Sequence, residues 1–475
     1  MTVSENGDAW KGGNPRAIVR ISAKGLFGQF DYELPAKGEP ELDLRSLFVL
    51  YGDNGAGKTT LLRLTYHLLS WEDGKGHKSA IGQVRFQRFA VELGDGTVIE
   101  AKRLANNELG PYRAAILKDS ETVDAVTFSA GERSSASEER KLHHQSFLAK
   151  LKALEIDVRL VSDERRVSGD EEAPPPYRWR SSHPAIAEFS AELDSIDRHR
   201  KIVSPINRAA ARLHEWVNRQ AEKSNRRGYG SVHTIYTDIA QRIAGAPGLP
   251  DEVAEVPSAE GLASRLEALA NRSADYARFG LAAGLGVGPM TNSLRLASAD
   301  AWLVLHKVMQ PYVEGIEARL DAIRDLYELL KGFTGSIEQF LGGGKQARYQ
   351  LRQGFSIQTR KGEPLDLDLL SSGEKQLLLL LFNTLSARDE ATILLIDEPE
   401  ISLNIKWQRL LVPALLDCIR GSDVQLVFAT HSIELLAQHL GNVVKLADRS
   451  EAEEALDEPR REIEDDTGIG RALHA

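Results

Sequence analysis

The chain contains a single cysteine, Cys418, among its 475 residues. One cysteine excludes an intrachain disulfide and a zinc site built from several cysteines, and it is typical of proteins in a reducing compartment. The chain also lacks a long apolar run, because its longest purely aliphatic stretch, residues 377–381, is far too short to cross a bilayer. The first twenty residues have no apolar segment of the kind found in secretion signals. We therefore expect a cytoplasmic protein with no membrane partner.

Basic residues are not in excess either. The chain has 59 lysines and arginines against 69 aspartates and glutamates, for a formal net charge of −10. This balance excludes nonspecific adhesion of the whole molecule to nucleic acid, although a local basic patch could still bind DNA. Residues 451–466 hold nine carboxylates and two arginines, a composition typical of a solvated tail.

Strand and helix patterns alternate in two separate parts of the chain, which is typical of a parallel sheet. A proline-rich run at residues 171–176 and three glycines at 342–344 separate these parts from a helical region. The sequence therefore predicts an α/β protein, with a parallel-sheet core, an antiparallel β lobe and a helical, partly coiled-coil insertion. The predicted parts are an N-terminal part at residues 1–170, the insertion at 171–341, a C-terminal part at 342–448 and an acidic tail at 449–475.

Local periodicity predicts the individual elements. In the N-terminal part it predicts two strands around a turn at 17–34, a strand at 47–51, a helix at 59–69, a hairpin at 84–100 and a strand at 157–162. In the C-terminal part it predicts strands at 349–359 and 365–370, a helix at 374–386, a strand at 393–396, a helix at 403–416, a strand at 424–429 and a helix at 433–439.

The insertion carries an apolar stripe with alternating steps of three and four residues, which predicts long helices that pack against one another. A proline- and glycine-containing segment at residues 245–261 predicts a loop between them. Core packing explains such a stripe, and a dedicated binding surface is the alternative. The stripe consists of Met309, Val313, Ile316, Leu320, Ile323, Tyr327 and Leu330.

Residues 52–59 match the phosphate-loop pattern at all of its fixed positions. Glycines allow successive backbone N–H groups to turn toward a phosphate, Lys58 supplies a positive charge, and Thr59 can ligate Mg²⁺. The loop lies between a predicted buried strand and a predicted helix, as this chemistry requires. The candidate nucleotide-binding residues are Asn54, Gly55, Ala56, Gly57, Lys58, Thr59 and Thr60.

An aliphatic strand at residues 393–396 ends in two acids, Asp397 and Glu398. Ligands of open α/β sheets bind at the carboxyl ends of the strands, so both carboxylates are predicted at a ligand site. Asp397 is a candidate Mg²⁺ ligand together with Thr59, and Glu398 is a candidate general base for an attacking water. Taken alone, such a pair could merely cap a strand.

Two further motifs are weaker in isolation. Ser371, Ser372, Gly373 and Glu374 open a leucine-rich helix, where a hydroxyl and backbone amides could contact a phosphate or simply cap the helix. His431 follows the strand predicted at 424–429 and could contact a γ-phosphate or serve a structural role.

In this order, the four motifs resemble those of ABC-type ATPases, and most closely the stand-alone ATPases related to RecF, SMC and overcoming-lysogenisation-defect proteins. Similar ATPases form the ATP-binding subunit of two-component antiphage systems, including AriA of PARIS-type systems. The resemblance covers the two α/β parts and not the insertion. It implies ATP and Mg²⁺ as cofactors and a homodimer, or a higher oligomer of dimers. In that dimer, residues 371–374 of one chain act on the nucleotide held by Lys58 of the other.

The sequence departs from this family at two positions. Asn404 stands where relatives often carry histidine or aspartate, and Glu374 replaces the glutamine of transporters. Gln83 and Gln87 lie near predicted strands, and either is a candidate for the glutamine that joins Mg²⁺ to the helical region in such ATPases, or each is a surface glutamine. Arg165 or Arg166 faces the nucleotide, or both belong to an exposed charged turn.

Three functions are compatible with these motifs. The first is an ATP-driven switch that controls a partner effector encoded nearby, because the chain shows no second catalytic set and only a short segment follows His431. The second is a DNA repair or chromosome-clamp ATPase, since residues 178–227 contain more basic than acidic residues. The wide separation of Lys58 from Ser371 disfavours the third, a transporter subunit.

Overall fold

The computed structural model describes residues 14–36, 42–104, 109–128, 138–162, 204–244, 258–389 and 391–446. The predicted tail, the proline-rich boundary, Arg165 and Arg166 lie outside these residues. Within the described part of the chain, no helix combines the length and the apolar composition needed to span a bilayer.

The elements before the insertion are mainly strands. They are β1 (Ile18–Leu26), β2 (Phe30–Leu34), β3 (Leu47–Tyr51), α1 (Lys58–Leu69), α2 (His77–Gly82), β4 (Arg88–Leu93), β5 (Val98–Arg103), β6 (Tyr112–Lys118), β7 (Glu121–Phe128), α3 (Glu138–Ala153) and β8 (Val158–Val161). The helical region contains α4 (Pro205–Ala244), α5 (Ala259–Ala277), α6 (Gly288–Arg295), α7 (Ala299–Ala322) and α8 (Arg324–Phe340). The elements that follow are β9 (Gln346–Gln350), β10 (Gly354–Gln358), β11 (Pro364–Leu365), α9 (Ser372–Ser386), β12 (Ile393–Asp397), α10 (Ile405–Ile419), β13 (Gln425–Thr430), α11 (Ile433–Leu436) and β14 (Val443–Lys445).

A five-stranded parallel sheet joins the two α/β parts, in the order β14-β3-β13-β12-β8. Thr430 pairs with Tyr51 of β3, and Ala429 pairs with Asp397 of β12. The carboxyl ends of β3, β13 and β12 therefore lie side by side, although β3 precedes the insertion and the other two follow it. The predicted parallel-sheet core is confirmed, and both α/β parts contribute strands to it.

A second, six-stranded sheet is antiparallel, in the order β2-β1-β4-β5-β6-β7. It contains the predicted strand pair around the turn near Gly28 and the predicted hairpin that forms β4 and β5. Together, the parallel sheet, this antiparallel lobe and the intervening helices confirm the predicted fold class. Strands β6 and β7 were not predicted.

Alternate residues of the parallel strands enter two separate cores. Ile393 and Leu395 of β12 pack with α1 and the antiparallel sheet, whereas Leu394 and Ile396 pack with the helical region. A parallel sheet covered on both faces consists of nearly continuous apolar strands, as the sequence of β12 does. The helical region is therefore part of the main fold, because its helices cover one face of the sheet.

Some predicted boundaries are wrong. Residues 349–359 are not one strand: β9 ends at Gln350, residues 351–353 form a turn, and β10 begins at Gly354, whose φ of 78° reverses the chain. Residues 365–370 are mostly a 3₁₀ turn, in which the Asp366 carboxylate accepts a hydrogen bond from the Asp368 backbone. The helix predicted at 433–439 ends at Leu436.

The apolar stripe predicted at residues 309–330 belongs to two helices, which are separated at Ile323. Ile323 has a φ of −105° and a ψ of 0°, so α7 ends before it and α8 begins after it. The Ile323 side chain is nevertheless buried in the core, so it keeps its place in the apolar stripe although the helix is interrupted there. Residues 245–257 of the predicted loop lie outside the described residues, and its last residues belong to α5, which Ser258 caps.

Gln425 of β13 connects the two sheets. Its fully buried amide accepts a hydrogen bond from Ile18 N (2.8 Å) and donates to the carbonyl oxygens of Ile18 (2.8 Å) and Leu44 (2.6 Å). We expect Gln425→Leu to lower the free energy of unfolding by about 2–4 kcal/mol, because it leaves buried backbone groups without partners. Urea denaturation measures this loss. Gln438→Leu, at an exposed position, is the control, and an equal effect of the two changes would contradict the assignment.

Candidate functional site

The phosphate-loop sequence forms a tight turn between β3 and α1. Gly55 and Gly57 have φ values of 89° and 83°, which side-chain-bearing residues rarely adopt. A Cβ at Gly57 would lie 3.1 Å from Leu26 and from the Phe27 ring, so the antiparallel lobe packs closely against the loop. The Tyr32 hydroxyl also donates to the Ala56 carbonyl (2.9 Å). The lobe thus fixes the shape of the loop.

Lys58 lies at the first position of α1 and is only 5% exposed. Its Nζ donates to the carbonyl oxygens of Gly52 (2.8 Å) and Asp53 (3.0 Å). The same nitrogen is 3.8 Å from Oε1 of Glu398. The ammonium group therefore lies within the loop and beside the acidic end of β12, where a phosphate group would meet both.

Thr59 and Asp397 meet directly, as the sequence predicts for two ligands of one ion. The Thr59 hydroxyl donates to Oδ1 of Asp397 over 3.0 Å, and Asp397 is 4% exposed. Carboxylate and hydroxyl oxygens are the ligand types that Mg²⁺ prefers. A Cβ at Gly55 would have no atom within 4 Å, so the loop has open space at this position. The residues present therefore fit a nucleotide with its Mg²⁺.

Glu398 follows Asp397 and adopts a φ of 46°, a left-handed conformation that is strained for a glutamate. Such strain is found preferentially at functional sites. Oε2 of Glu398 lies 2.6 Å from Nδ1 of His431. The turn after β12 and the turn after β13 therefore place the candidate base and the candidate phosphate-contacting histidine together.

Burial is the main cause that raises the pKa of Glu398, to about 7. A hydrogen bond and charge repulsion from Glu400 raise the pKa further, whereas His431 lowers it. In the nucleotide-free protein, this carboxyl group therefore exchanges its proton near neutral pH. A general base is most effective when its pKa lies near the working pH.

Glu400 belongs to the site and was not predicted. It is 5% exposed, and its Oε1 accepts hydrogen bonds from the Thr430 hydroxyl (2.5 Å), His431 N (3.1 Å) and Ser432 N (3.2 Å). It therefore fastens the turn after β13 to the turn after β12. The sequence signal is a third acid, which directly follows Pro399 and lies next to the pair Asp397 and Glu398. Glu398, Glu400 and His431 offer ligand atoms within 4.8 Å of one another.

The motif at residues 371–374 opens α9. The Ser371 hydroxyl accepts from the Glu374 backbone, and Oε2 of Glu374 accepts from the Ser371 backbone (3.0 Å), which is a capping box. A Cβ at Gly373 would lie 2.7 Å from the Ser402 carbonyl, so only glycine fits there. Ser371 and Ser372 are exposed, whereas Gly373 and Glu374 are buried. The motif therefore caps α9, and it also exposes two serine side chains that could contact a ligand.

The structure also places the other residues that the sequence singled out. Gln83 is an exposed residue at the end of α2. Gln87 lies against Gly25, where a Cβ would be 2.8 Å from its Cγ, and thus beside the part of β1 that packs on the phosphate loop. Asn404 caps α10 by accepting from Trp407 N (3.0 Å). Cys418 is buried in α10.

Comparisons with known proteins support part of this interpretation. A family model described as "AAA domain, putative AbiEii toxin, Type IV TA system" matches residues 268–437. The match is just over a third of the chain and includes the motif at 371–374, the acidic strand and His431, but not the phosphate loop. It supports a nucleotide-binding ATPase. A search of curated proteins found no significant match.

Solved structures with similarity to the chain include Smc head domains. One, from Pyrococcus furiosus with an extended coiled coil and bound to the C-terminal domain of ScpA, is 13% identical with a TM-score of 0.36. The alignment covers 93% of this chain and 99% of that chain. A second, from Pyrococcus yayanosii with a coiled coil and joint, is 14% identical with a TM-score of 0.34, at 93% and 99% coverage.

The raised pKa of Glu398 has a consequence for stability. Because the pKa is raised in the folded state, from 4.5 to about 7, the stabilisation that it provides is complete below 4.5 and is lost as the pH rises through 7. We therefore expect Glu398→Gln to raise the melting temperature, relative to the unmodified chain, by more at about pH 8 than at about pH 5. Thermal unfolding without nucleotide or Mg²⁺ measures the two differences. Glu222→Gln, on the exposed face of α4, is the control, and equal differences at both pH values would contradict the pKa assignment.

Proposed function

We propose that this chain binds ATP with Mg²⁺, hydrolyses the ATP, and uses the resulting change to control a partner effector protein in antiphage defence. One observation carries the proposal. Lys58 and Thr59, Asp397 and Glu398, and His431 come from three adjacent parallel strands and meet at their carboxyl ends. This constellation provides a phosphate-binding cation, Mg²⁺ ligands and a water-activating base in one place.

Each residue has one task in this proposal. The backbone amides of residues 54–60 and the Lys58 ammonium bind the phosphate oxygens. Thr59 and Asp397 hold Mg²⁺, which when bound neutralises phosphate charge that develops in phosphoryl transfer. Glu398 accepts a proton from the attacking water, and His431 orients Glu398 and donates to the terminal phosphate.

Completion of the site by a second copy is part of the proposal. The exposed hydroxyls of Ser371 and Ser372 lie at the N-terminus of α9, where the partial positive charge of a helix favours an anion. We place these groups on the nucleotide bound by the partner chain of a homodimer, or of a higher oligomer of dimers. ATP then acts as the ligand that joins two chains.

Control of an effector needs a surface that changes with the nucleotide. Arg212 of α4 donates to the Asn383 side chain of α9 over 2.9 Å, so the helical region contacts the helix that begins with the 371–374 motif. A ligand shifts the equilibrium between two conformations of a protein only if it interacts differently with each of them. We infer that the helical region is the dock for the effector. The description of the matching family, which mentions a toxin and a type IV TA system, supports this role, as does the resemblance to ATPase subunits of PARIS type.

Binding of duplex DNA by the helical region is the alternative function. It rests on the basic bias of residues 178–227, of which residues 178–203 lie outside the described part of the chain. Expression of the chain alone and together with the product of its neighbouring gene separates the two functions. The effector switch requires the neighbour for phage protection and co-purifies with it. Protection by the chain alone, together with DNA binding, would support direct action on nucleic acid.

Two substitutions test ATP hydrolysis. We expect Lys58→Ala to weaken ATP binding, because it removes the buried phosphate-binding charge. We expect Glu398→Gln to bind ATP and to lower the turnover number by about a hundredfold or more, because it removes the proton acceptor. Phosphate release and equilibrium binding of a fluorescent ATP analogue measure the two effects. Glu222→Gln is the matched control, and unchanged turnover of Glu398→Gln would exclude the general-base role.

Mixing two inactive variants tests the trans arrangement. A Lys58→Ala chain keeps a normal 371–374 motif, and a Ser371→Arg chain keeps a normal phosphate loop. Their mixed dimer contains one intact composite site, so we expect each variant to be inactive alone and the mixture to recover a substantial part of the activity. Full activity of Ser371→Arg on its own would show that the motif does not complete the site.

A further inference from the structure

Glu374 is the one acidic residue of the 371–374 motif. It is 5% exposed and lies in the first turn of α9, directly behind Ser371 and Ser372. Its Oε2 accepts from both the backbone and the hydroxyl of Ser371, over 3.0 and 2.9 Å. A carboxylate at this position would offset the partial positive charge of the helix terminus and repel an incoming phosphate.

Lys345 neutralises this carboxylate. Its Nζ donates to Oε1 of Glu374 over 2.7 Å, and the lysine side chain is 28% exposed against 6% for the glutamate. Burial raises the pKa of Glu374, but the hydrogen bonds from Lys345 and Ser371 outweigh burial and lower it below its ordinary value. Lys345 and Glu374 therefore form an ion pair. One oxygen of the Glu374 carboxylate binds Lys345, and the other caps the helix through Ser371.

The backbone before β9 is shaped to deliver this lysine. Gly343 and Gly344 have φ values of 69° and 76°, and Lys345 N closes the turn by donating to the Gly342 carbonyl (3.3 Å). Glycine adopts such left-handed conformations without the steric cost that a Cβ would impose. The side chain of Arg360 covers Gly344, where a Cβ would collide with it. A second cation, Arg360, thus adjoins the turn that carries Lys345.

We propose that Lys345 is a positioning residue for the 371–374 motif, which neutralises Glu374 so that the N-terminus of α9 can receive the terminal phosphate of a nucleotide held by a second copy of this chain. The inference rests on the proposed function, because it concerns the trans contact of that same site. Lys345 acts on the nucleotide of the partner chain and does not contact the nucleotide that its own chain binds.

A lysine substitution tests the role. We expect Lys345→Ala to lower the turnover number by about tenfold or more, because the motif then presents an unpaired negative charge to the phosphate. Binding of a fluorescent ATP analogue to the phosphate loop of the same chain should be unchanged. Lys331→Ala, which breaks an exposed pair with Glu328 (4.0 Å, both side chains 60% exposed), is the matched control and should keep normal turnover.

Two rescues separate neutralisation from a general structural defect. A Lys345→Ala chain mixed with a Lys58→Ala chain combines an intact phosphate loop with an intact motif, so activity should return. The double variant Lys345→Ala/Glu374→Gln should regain much of the turnover that Lys345→Ala loses, because a neutral amide needs no cation. Lys345→Met, which keeps the length of the side chain without the charge, should behave as Lys345→Ala does.

Normal turnover by Lys345→Ala would overturn the inference. So would a loss of turnover that neither the mixed dimer nor the double variant restores, since such a loss would reflect misfolding or a role in the phosphate loop of the same chain. Failure of the proposed function is distinguishable, because the unmodified chain itself would then hydrolyse no ATP.

Discussion

The parallel hydrogen bonding of β13 to β3 on one side and to β12 on the other brings together residues from opposite ends of the chain. Thr59 and Asp397 are 338 positions apart, and their side chains are hydrogen-bonded. The helical region separates the two strands in sequence, yet it packs on one face of the sheet that they share. Any change that weakened this pairing would separate the phosphate loop from the acidic strand and from His431. The site is thus a product of the long-range fold rather than of one local motif.

The turns at the end of the sheet carry conformations that are unfavourable for stability. Glu398 has a strained backbone and a carboxyl group whose pKa is raised by burial, and the buried Glu400 carboxylate lies beside it. Hydrogen bonds from Thr430, His431 and Ser432 to Glu400 hold these groups in place. The core on either side of the sheet supplies the stability that this arrangement needs. Such a site can exchange contacts with a nucleotide, because its charged groups are held but not fully neutralised.

Local patterns in the sequence were sufficient for the elements that position the site. The strand–loop–helix around Lys58 and the aliphatic strand before Asp397 depend on contiguous residues, so both were predicted. Lys345 could not be recognised, because its role depends on Glu374, a partner that the fold supplies from another element. The acid at Glu400 is visible beside Asp397 and Glu398 in the sequence, but its role depends on Thr430, His431 and Ser432 after another strand. The break at Ile323 was missed for a similar reason, since packing of one buried side chain overrides a continuous helical period. Strand β7 has fewer consecutive apolar residues than β12, and pairing with neighbouring strands of the antiparallel sheet stabilises both β6 and β7.

The central claim is that the constellation at the end of the sheet is an ATP site which a second copy completes. The mass of the Glu398→Gln chain in solution, with and without ATP and Mg²⁺, tests it most directly, because this variant should bind ATP and release it slowly. Sedimentation should give a mass near 52.4 kDa without ATP and twice that mass with it, and the increase should disappear when Ser371→Arg is added to the same chain. A mass that does not respond to ATP, or an increase that persists with Ser371→Arg, would contradict the account.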